Sequence, residues 1–319
     1  MSTLDRRHLL LAAGAGALAA CAQAQPAPEA VRVRSRAPSK ERAPVTPASA
    51  RGKRVAKACM WSMLGEAPSV LEKLERAQAA GLEGVEIDAP TKEYAPEELE
   101  EALAKTGMRV ADVVDSEHWS NTLSDPDAAV RDAGRGALEN ALRTARRFGT
   151  DSVLLVPAVV SAKVAYDEAW ERSTAELRKL LPLAAELKVH IAIENVWNDF
   201  LLSPMEAARY VDQFESPWVG WHMDLGNVVL YGRPAQWIKI LGTRIRRLHV
   251  KDYSRKRLDE LGRWKGFDAE LGEGDADWPA IVQALDAIGY RGWASAEVSG
   301  SGLERLKDVS ARMDRILAL

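Results

Sequence analysis

The chain of 319 residues is short of cysteine, histidine and phenylalanine, with two, five and four of them respectively. One cysteine, Cys21, falls in an N-terminal leader, so Cys59 stands alone in the folded part, and an internal disulfide and a Cys/His zinc framework are both excluded. Long apolar runs are missing too. The Leu/Ala/Gly stretch from Leu9 to Ala20 is shorter than the roughly 20 residues that span a bilayer. Basic residues are outnumbered by acids beyond residue 54: the first 54 residues carry a net +7 and the whole chain −3, which leaves −10 for the remainder. An acidic globular part argues against a nucleic-acid partner, whose phosphates want a basic face. No glycine-rich phosphate turn follows the first apolar strand, as a doubly wound dinucleotide-binding sheet would usually show.

What is present begins with a leader. Asp5-Arg6-Arg7-His8, then Leu9-Leu10-Leu11 and small residues, has the charged start, short apolar core and small-residue exit of a bacterial signal peptide over residues 1–21. The pair Arg6-Arg7 points to twin-arginine export. Leu18-Ala19-Ala20-Cys21 resembles a lipobox, whose Cys is acylated after cleavage; plain secretory cleavage near Ala22 or Ala24 is the alternative. Residues 22–53, rich in Ala, Pro, Arg and Ser and without aromatics, read as a disordered tether. The expectation is an exported protein, periplasmic or facing the periplasm from a lipid anchor at Cys21.

From residue 54 to 319 a unit repeats: a short apolar run, a polar turn, an amphipathic stretch. Strands are expected at 56–61, 84–88, 109–114, 152–156, 189–194, 219–224, 246–251 and 293–297. Helices are expected at 67–81, 96–106, 126–148, 167–187, 203–213, 233–242, 277–288 and 302–318. Ser203-Pro204 and Asp277-Trp278-Pro279 are helix starts, and Gly81, Gly107, Gly149 and Gly289 fall just past helix ends. Eight such βα units in one domain predict a (β/α)8 TIM barrel, a fold of typically about 250 residues; an open doubly wound sheet is the runner-up.

Strand residues alternate faces. With Ile191 and Ile193 turned to the helices, Glu194 points into the barrel; the same parity turns His222 and Asp224, His249, and Glu297 inward at the ends of the next three strands. Barrel enzymes keep their chemistry at these carboxyl ends. Taken singly, each acid reads as a cap or salt-bridge partner and the His as a core residue. Together, three carboxylates and one imidazole at one mouth would repel one another without a cation. Oxygen-rich ligands with one nitrogen suit one divalent ion, Mn²⁺ first, with Mg²⁺ or Co²⁺ as alternatives.

These residues lie in Ile193-Glu194-Asn195, Met223-Asp224-Leu225-Gly226-Asn227, His249-Val250-Lys251-Asp252, Gly272-Glu273-Gly274 and Ala296-Glu297-Val298. In order and placement these segments resemble the xylose isomerase-like superfamily, most of all its pentulose-phosphate and ketohexose 3-epimerases, over about residues 55–319. The resemblance implies Glu194, Asp224, His249 and Glu297 as metal ligands. It also implies that Glu194 and Glu297 exchange a proton with substrate carbon from opposite faces, through an enediolate. His222, Lys251, Arg255, His118, Glu86 as the inward-facing end of the second strand and Trp61 as the end of the first are candidate substrate contacts, with His118-Trp119 as a pocket wall. Asn227 stands where the ketohexose branch has His and the pentulose-phosphate branch Asn. Because export removes the chain from cytoplasmic sugar phosphates, a neutral keto-sugar, polyol or 3-keto-glycoside is the expected substrate. A lyase on the same scaffold and a non-catalytic sugar-binding lipoprotein are the rival readings. A DNA-repair endonuclease is disfavoured, since only His118, His190, His222 and His249 lie outside the leader. Oligomerisation is common in the superfamily, and no periodic pattern identifies an interface.

Overall fold

The computed structural model describes residues 55–317; the leader, its Arg6-Arg7 pair, Cys21 and the tether lie outside the described residues. Eight parallel strands close a barrel in sequence order, β8 pairing back onto β1. They are β1 (Val55–Met60), β2 (Gly84–Ala89), β3 (Arg109–Asp115), β4 (Ser152–Leu155), β5 (His190–Glu194), β6 (Val219–Asp224), β7 (Ile245–Val250) and β8 (Gly292–Ala296). The open-sheet alternative is thereby set aside. Around them run α1 (Val70–Ala79), α2 (Pro96–Thr106), α3 (Ala128–Arg147), α4 (Tyr166–Leu187), α5 (Pro204–Asp212), α6 (Leu225–Val229), α7 (Pro234–Leu241), α8 (Arg255–Leu261), α9 (Trp278–Ala287) and α10 (Leu303–Ile316). Among the described residues no helix is long and apolar enough to cross a membrane.

The expected starts are real caps. The Ser203 side chain accepts from the Glu206 N–H and that of Asp277 from the Ala280 N–H, each satisfying a first-turn donor. Gly107 closes α2 in the left-handed conformation at φ 69°, where a side chain is disfavoured. The apolar outer faces of the strands pack on the helices in one continuous core, with Leu74, Leu138, Trp221 and Ile238 fully buried. Inside the barrel the lower layer is small, around Ala56, Ala58 and Ala111 beside Trp293. Arg247 reaches into it and donates to the Ala111 carbonyl at 2.7 Å and to Asp151 at 2.5 Å.

Three local expectations are corrected. Trp61 does not end β1; the strand stops at Met60 and Trp61 opens a short 3₁₀ turn. Glu86 lies within β2 rather than at its end: the strand continues to Ala89 and carries a register shift against β3 at Val85/Glu86. The connections after β6 and β7 carry extra elements, α6, α8 and a 3₁₀ stretch at Arg263–Asp268. These are too short for an amphipathic period to announce them.

Candidate metal and acid/base site

The carboxyl ends of β5 to β8 bring Glu194, Asp224, His249 and Glu297 together, with one ligand atom from each lying within 4.8 Å of all the others. His249 is the hub. Its Nδ1 is 2.9 Å from Glu194 Oε1, 3.1 Å from Glu297 Oε2 and 4.0 Å from Asp224 Oδ2. Its Nε2 is 2.7 Å from Glu86 Oε1. The backbone of Glu297 is fixed by its N–H donating to the Val250 carbonyl, so the position just past β8 stays in register with β7. Lys251, just past β7, places Nζ 2.8 Å from Asp224 Oδ2 and 2.6 Å from Glu297 Oε2.

Asp224 is held by a small amide network. Asn195 accepts from the Asp224 N–H at 3.0 Å and from Trp221 Nε1 at 3.1 Å, and donates to the Asp224 carbonyl at 2.8 Å. Asn227 donates its backbone N–H to Asp224 Oδ1 and its side-chain amide to Oδ2, at 2.8 and 2.7 Å. Asp224 thus caps α6 while one oxygen stays turned to the cluster. Such outer partners fix a ligand's orientation and are nearly as important as the ligand itself.

Electrostatics separate the two glutamates. Burial raises the Glu194 carboxyl to about 7, against the opposing pull of His249. Glu297 is only partly buried, and Lys251 and His249 together hold its carboxyl well below the usual range against the desolvation of its setting. Burial raises Asp224, partly offset by Lys251. Lys251 itself stays charged, because Asp224, Glu297 and Glu194 outweigh the burial that disfavours its ammonium.

His222 lies on the same wall, its ring 4.2 Å from that of His249 in an edge-on arrangement, and its Nδ1 is 3.0 Å from Asp112 Oδ2. Its carboxylate partner is therefore Asp112, a residue the sequence reading did not single out. The available signal was an acid between Ala111 and Val113 in an otherwise apolar strand. Burial keeps His222 neutral, its pKa well below the usual histidine value.

The remaining candidates sit apart from this cluster. Trp61 packs on Tyr94 at 4.6 Å and donates to Glu93 at 2.6 Å. His118 is buried, accepts from the Val156 N–H at 3.4 Å, and leaves the neighbouring Trp119 half exposed. Arg255 donates to the Val229 and Gly232 carbonyls at 2.7 and 3.2 Å and so ties the β7 connection to the segment after β6.

The donor set fits a divalent ion: three carboxylates and one imidazole, all but Glu297 buried. Two further buried atoms at its edge, Glu86 Oε2 and His222 Nε2, lack a hydrogen-bond partner. Buried polar groups rarely go unsatisfied, so this edge has capacity for one more polar group.

The profile of the family described as xylose isomerase-like TIM barrel matches residues 74–318. The L-ribulose-5-phosphate 3-epimerase UlaE of Escherichia coli O1:K1 / APEC is 26% identical over 262 residues, 76% of this chain and 89% of that protein. Among solved structures, the D-allulose 3-epimerase from Methylomonas sp. in complex with D-allulose superposes with a TM-score of 0.68 at 16% identity, covering 83% of this chain and 97% of that one. The 3-keto-D-glucoside 4-epimerase YcjR from E. coli gives 0.68 at 17% identity, covering 83% of this chain and all of that one.

Proposed function

Because the chain belongs to the xylose isomerase-like TIM barrel family, we propose that it is a divalent-metal-dependent epimerase or isomerase of a keto-sugar or related polyol, working by proton transfer through an enediolate. It is an enzyme of the isomerase class, in keeping with the epimerase names of its relatives. The observation that carries this reading is the pair Glu194 and Glu297. Both lie within hydrogen-bond distance of one imidazole nitrogen, at 2.9 and 3.1 Å, so two carboxyls from different strands converge on one point. Two carboxyls so placed can serve as the base and the acid of one proton transfer.

Glu297, held as a carboxylate by Lys251 and His249, is the base that takes the proton from the carbon beside the carbonyl. Glu194, whose carboxyl burial raises to about 7 before an ion binds, is the group that returns a proton to the carbon. Delivery to the opposite face inverts the centre, and delivery to the neighbouring carbon moves the carbonyl. An ion held by Glu194, Asp224, His249 and Glu297 would supply Lewis-acid stabilisation of the substrate oxyanion. His249 and Lys251 position the carboxyls, and the Asn195–Asn227 network keeps Asp224 from turning away.

A leader at residues 1–21 would carry the enzyme to the periplasm, where sugar phosphates are scarce; the substrate in this reading is therefore neutral. The test is a back-titration. Protein stripped by chelation is reloaded with Mn²⁺, Mg²⁺ or Co²⁺ and offered free ketoses, pentulose phosphates and 3-keto-glycosides, with chromatography of the products. A metal-restored epimer or isomer supports the proposal. A released aglycone or an unsaturated product would make the enzyme a lyase, and binding without any turnover would make it a sugar-binding protein.

A further inference from the structure

The 27 residues between β7 and α9 form much the longest connection on the catalytic face whose construction is itself informative. Connections in compact domains are mostly 2–8 residues, and long ones usually serve binding. This one is built, not slack. The buried Asp252 carboxylate accepts from the N–H groups of Tyr253, Gly272 and Ala276 and from Trp278 Nε1. Tyr253 donates to the Arg263 carbonyl at 2.8 Å, and its ring packs so closely on Gly266 that a Cβ there would lie 2.3 Å from it.

So braced, the connection lines up aromatics that run outward from the acid/base site. Lys251 Nζ, which bonds Glu297, lies 5.0 Å over the Phe267 ring. Phe267 stacks on Trp197 at 4.8 Å and 27°. Trp197, three residues past Glu194, meets Trp264 at 5.0 Å. Trp264 ends the row 70% exposed, the most open of the large exposed hydrophobics. Beside Phe267 opens a cavity of about 420 Å³, lined also by Asp268, Glu270, Val298, Ser299 and Arg305. Val298 directly follows Glu297 in the chain, which places one wall of the cavity next to that residue's backbone.

We propose that this row and cavity form a subsite for a second, uncharged sugar ring joined to the reacting one, so that the substrate is an oxidised disaccharide or glycoside rather than a free ketose. The proposal rests on the epimerase reading and narrows its substrate. Trp197 is itself covered by Phe267 and by the Arg263 guanidinium at 4.4 Å, so the exposed Trp264 ring is the flat surface that matches the apolar C–H face of a pyranose, while Asp268, Glu270 and Ser299 offer acceptors for its hydroxyls. A phosphate is a poor occupant. The cation in its lining, Arg305, is already paired with Glu270 at 2.7 Å and Asp308 at 3.1 Å and donates to the Ser299 carbonyl at 2.9 Å, while Asp268 is paired with Lys265 at 2.9 Å, so the lining offers an anion no uncommitted positive charge.

The test uses Trp264 as reporter and variant in the metal-loaded protein. Tryptophan fluorescence is followed with glucose, trehalose, maltose and cellobiose. At least one disaccharide is expected to shift the emission at concentrations where glucose does not. Trp264→Ala, a surface change checked for fold by circular dichroism, should weaken that binding about tenfold. The ratio of kcat/KM for a 3-keto-disaccharide to that for 3-keto-glucose should drop by a similar factor. Equal response to glucose and disaccharides, no response to any sugar, or no effect of Trp264→Ala would overturn the subsite. So would an emission change that follows protein concentration, which would mark Trp264 as a contact between copies. Disaccharide binding that depends on Trp264 without any proton exchange at carbon would spare the subsite and remove the epimerase reading. Exchange on 3-keto-glucose that is indifferent to Trp264 would do the reverse.

Discussion

The ammonium of Lys251 lies 2.6 Å from Glu297 Oε2 and keeps that carboxyl charged inside a cluster where burial would otherwise neutralise it. Replacing Lys251 by Met preserves length and removes the charge. Glu297 then loses its main counter-ion, and turnover should fall about 100-fold, the lower end of what a positioned acid/base group contributes. The same lysine also competes with a divalent ion for Asp224 and Glu297, so the variant should bind Mn²⁺ at least as tightly as the parent. Initial rates and a metal titration read the two effects separately. Full turnover in Lys251→Met would remove the base role assigned to Glu297.

Asn195 ligates nothing in this account, yet its substitution should mimic the loss of a ligand. In Asn195→Ala the Asp224 N–H and Trp221 Nε1 both lose their acceptor in a buried setting. Each such orphan costs about 1–3 kcal/mol. Metal affinity should drop about 10–100-fold as Asp224 loosens. Urea unfolding and isothermal titration with Mn²⁺ check the two halves, and unchanged metal affinity would show that Asn227 alone suffices to hold Asp224.

His190, away from the cluster, gives a pH prediction. Its ring is buried, with Nδ1 2.9 Å from the Asp151 carbonyl and Nε2 without a hydrogen-bond partner. Burial, helped by Arg246, lowers its pKa to about 4. The unfolded chain, with an ordinary value of about 6.5, binds the proton first as pH falls. The contribution is therefore fully present above pH 6.5 and is lost as pH drops toward 4. Between pH 7.5 and 5.0 the parent should lose about 2 kcal/mol more stability than His190→Asn, which has no such proton to gain. Equal losses would mean that the ring is protonated in place or exposed on opening. Comparing the two proteins cancels the opposite trend of Asp112 and Asp115, whose burial raises them to about 6 and 7.

The barrel was legible because its signals are local and repeated: each strand's alternation and each helix's period can be read within a few residues, and caps such as Ser203 and Asp277 fix the starts. The four convergent residues followed from the same parity, since a closed parallel barrel sends all strand ends to one mouth. Partnerships across the barrel left no such trace. Asp112 and His222 meet across 110 positions of sequence, and Glu86 reaches His249 across 163. The order of strands says that β2 and β7 share an interior, not which side chains meet there. The aromatic row was hidden for another reason: Trp197, Trp264 and Phe267 lie in connections, where no period exists to give a side chain its direction.

Proton exchange at carbon tests the central claim most directly. The metal-loaded protein is incubated in D2O with 3-keto-glycosides and neutral ketoses beside a Glu297→Gln control, and the reaction is stopped with chelator before proton NMR. The account predicts deuterium at the carbon beside the carbonyl in the parent, and its loss by at least about 100-fold in Glu297→Gln and in protein stripped of metal. Turnover of a substrate with no deuterium entering carbon, or exchange that persists in Glu297→Gln, would contradict it.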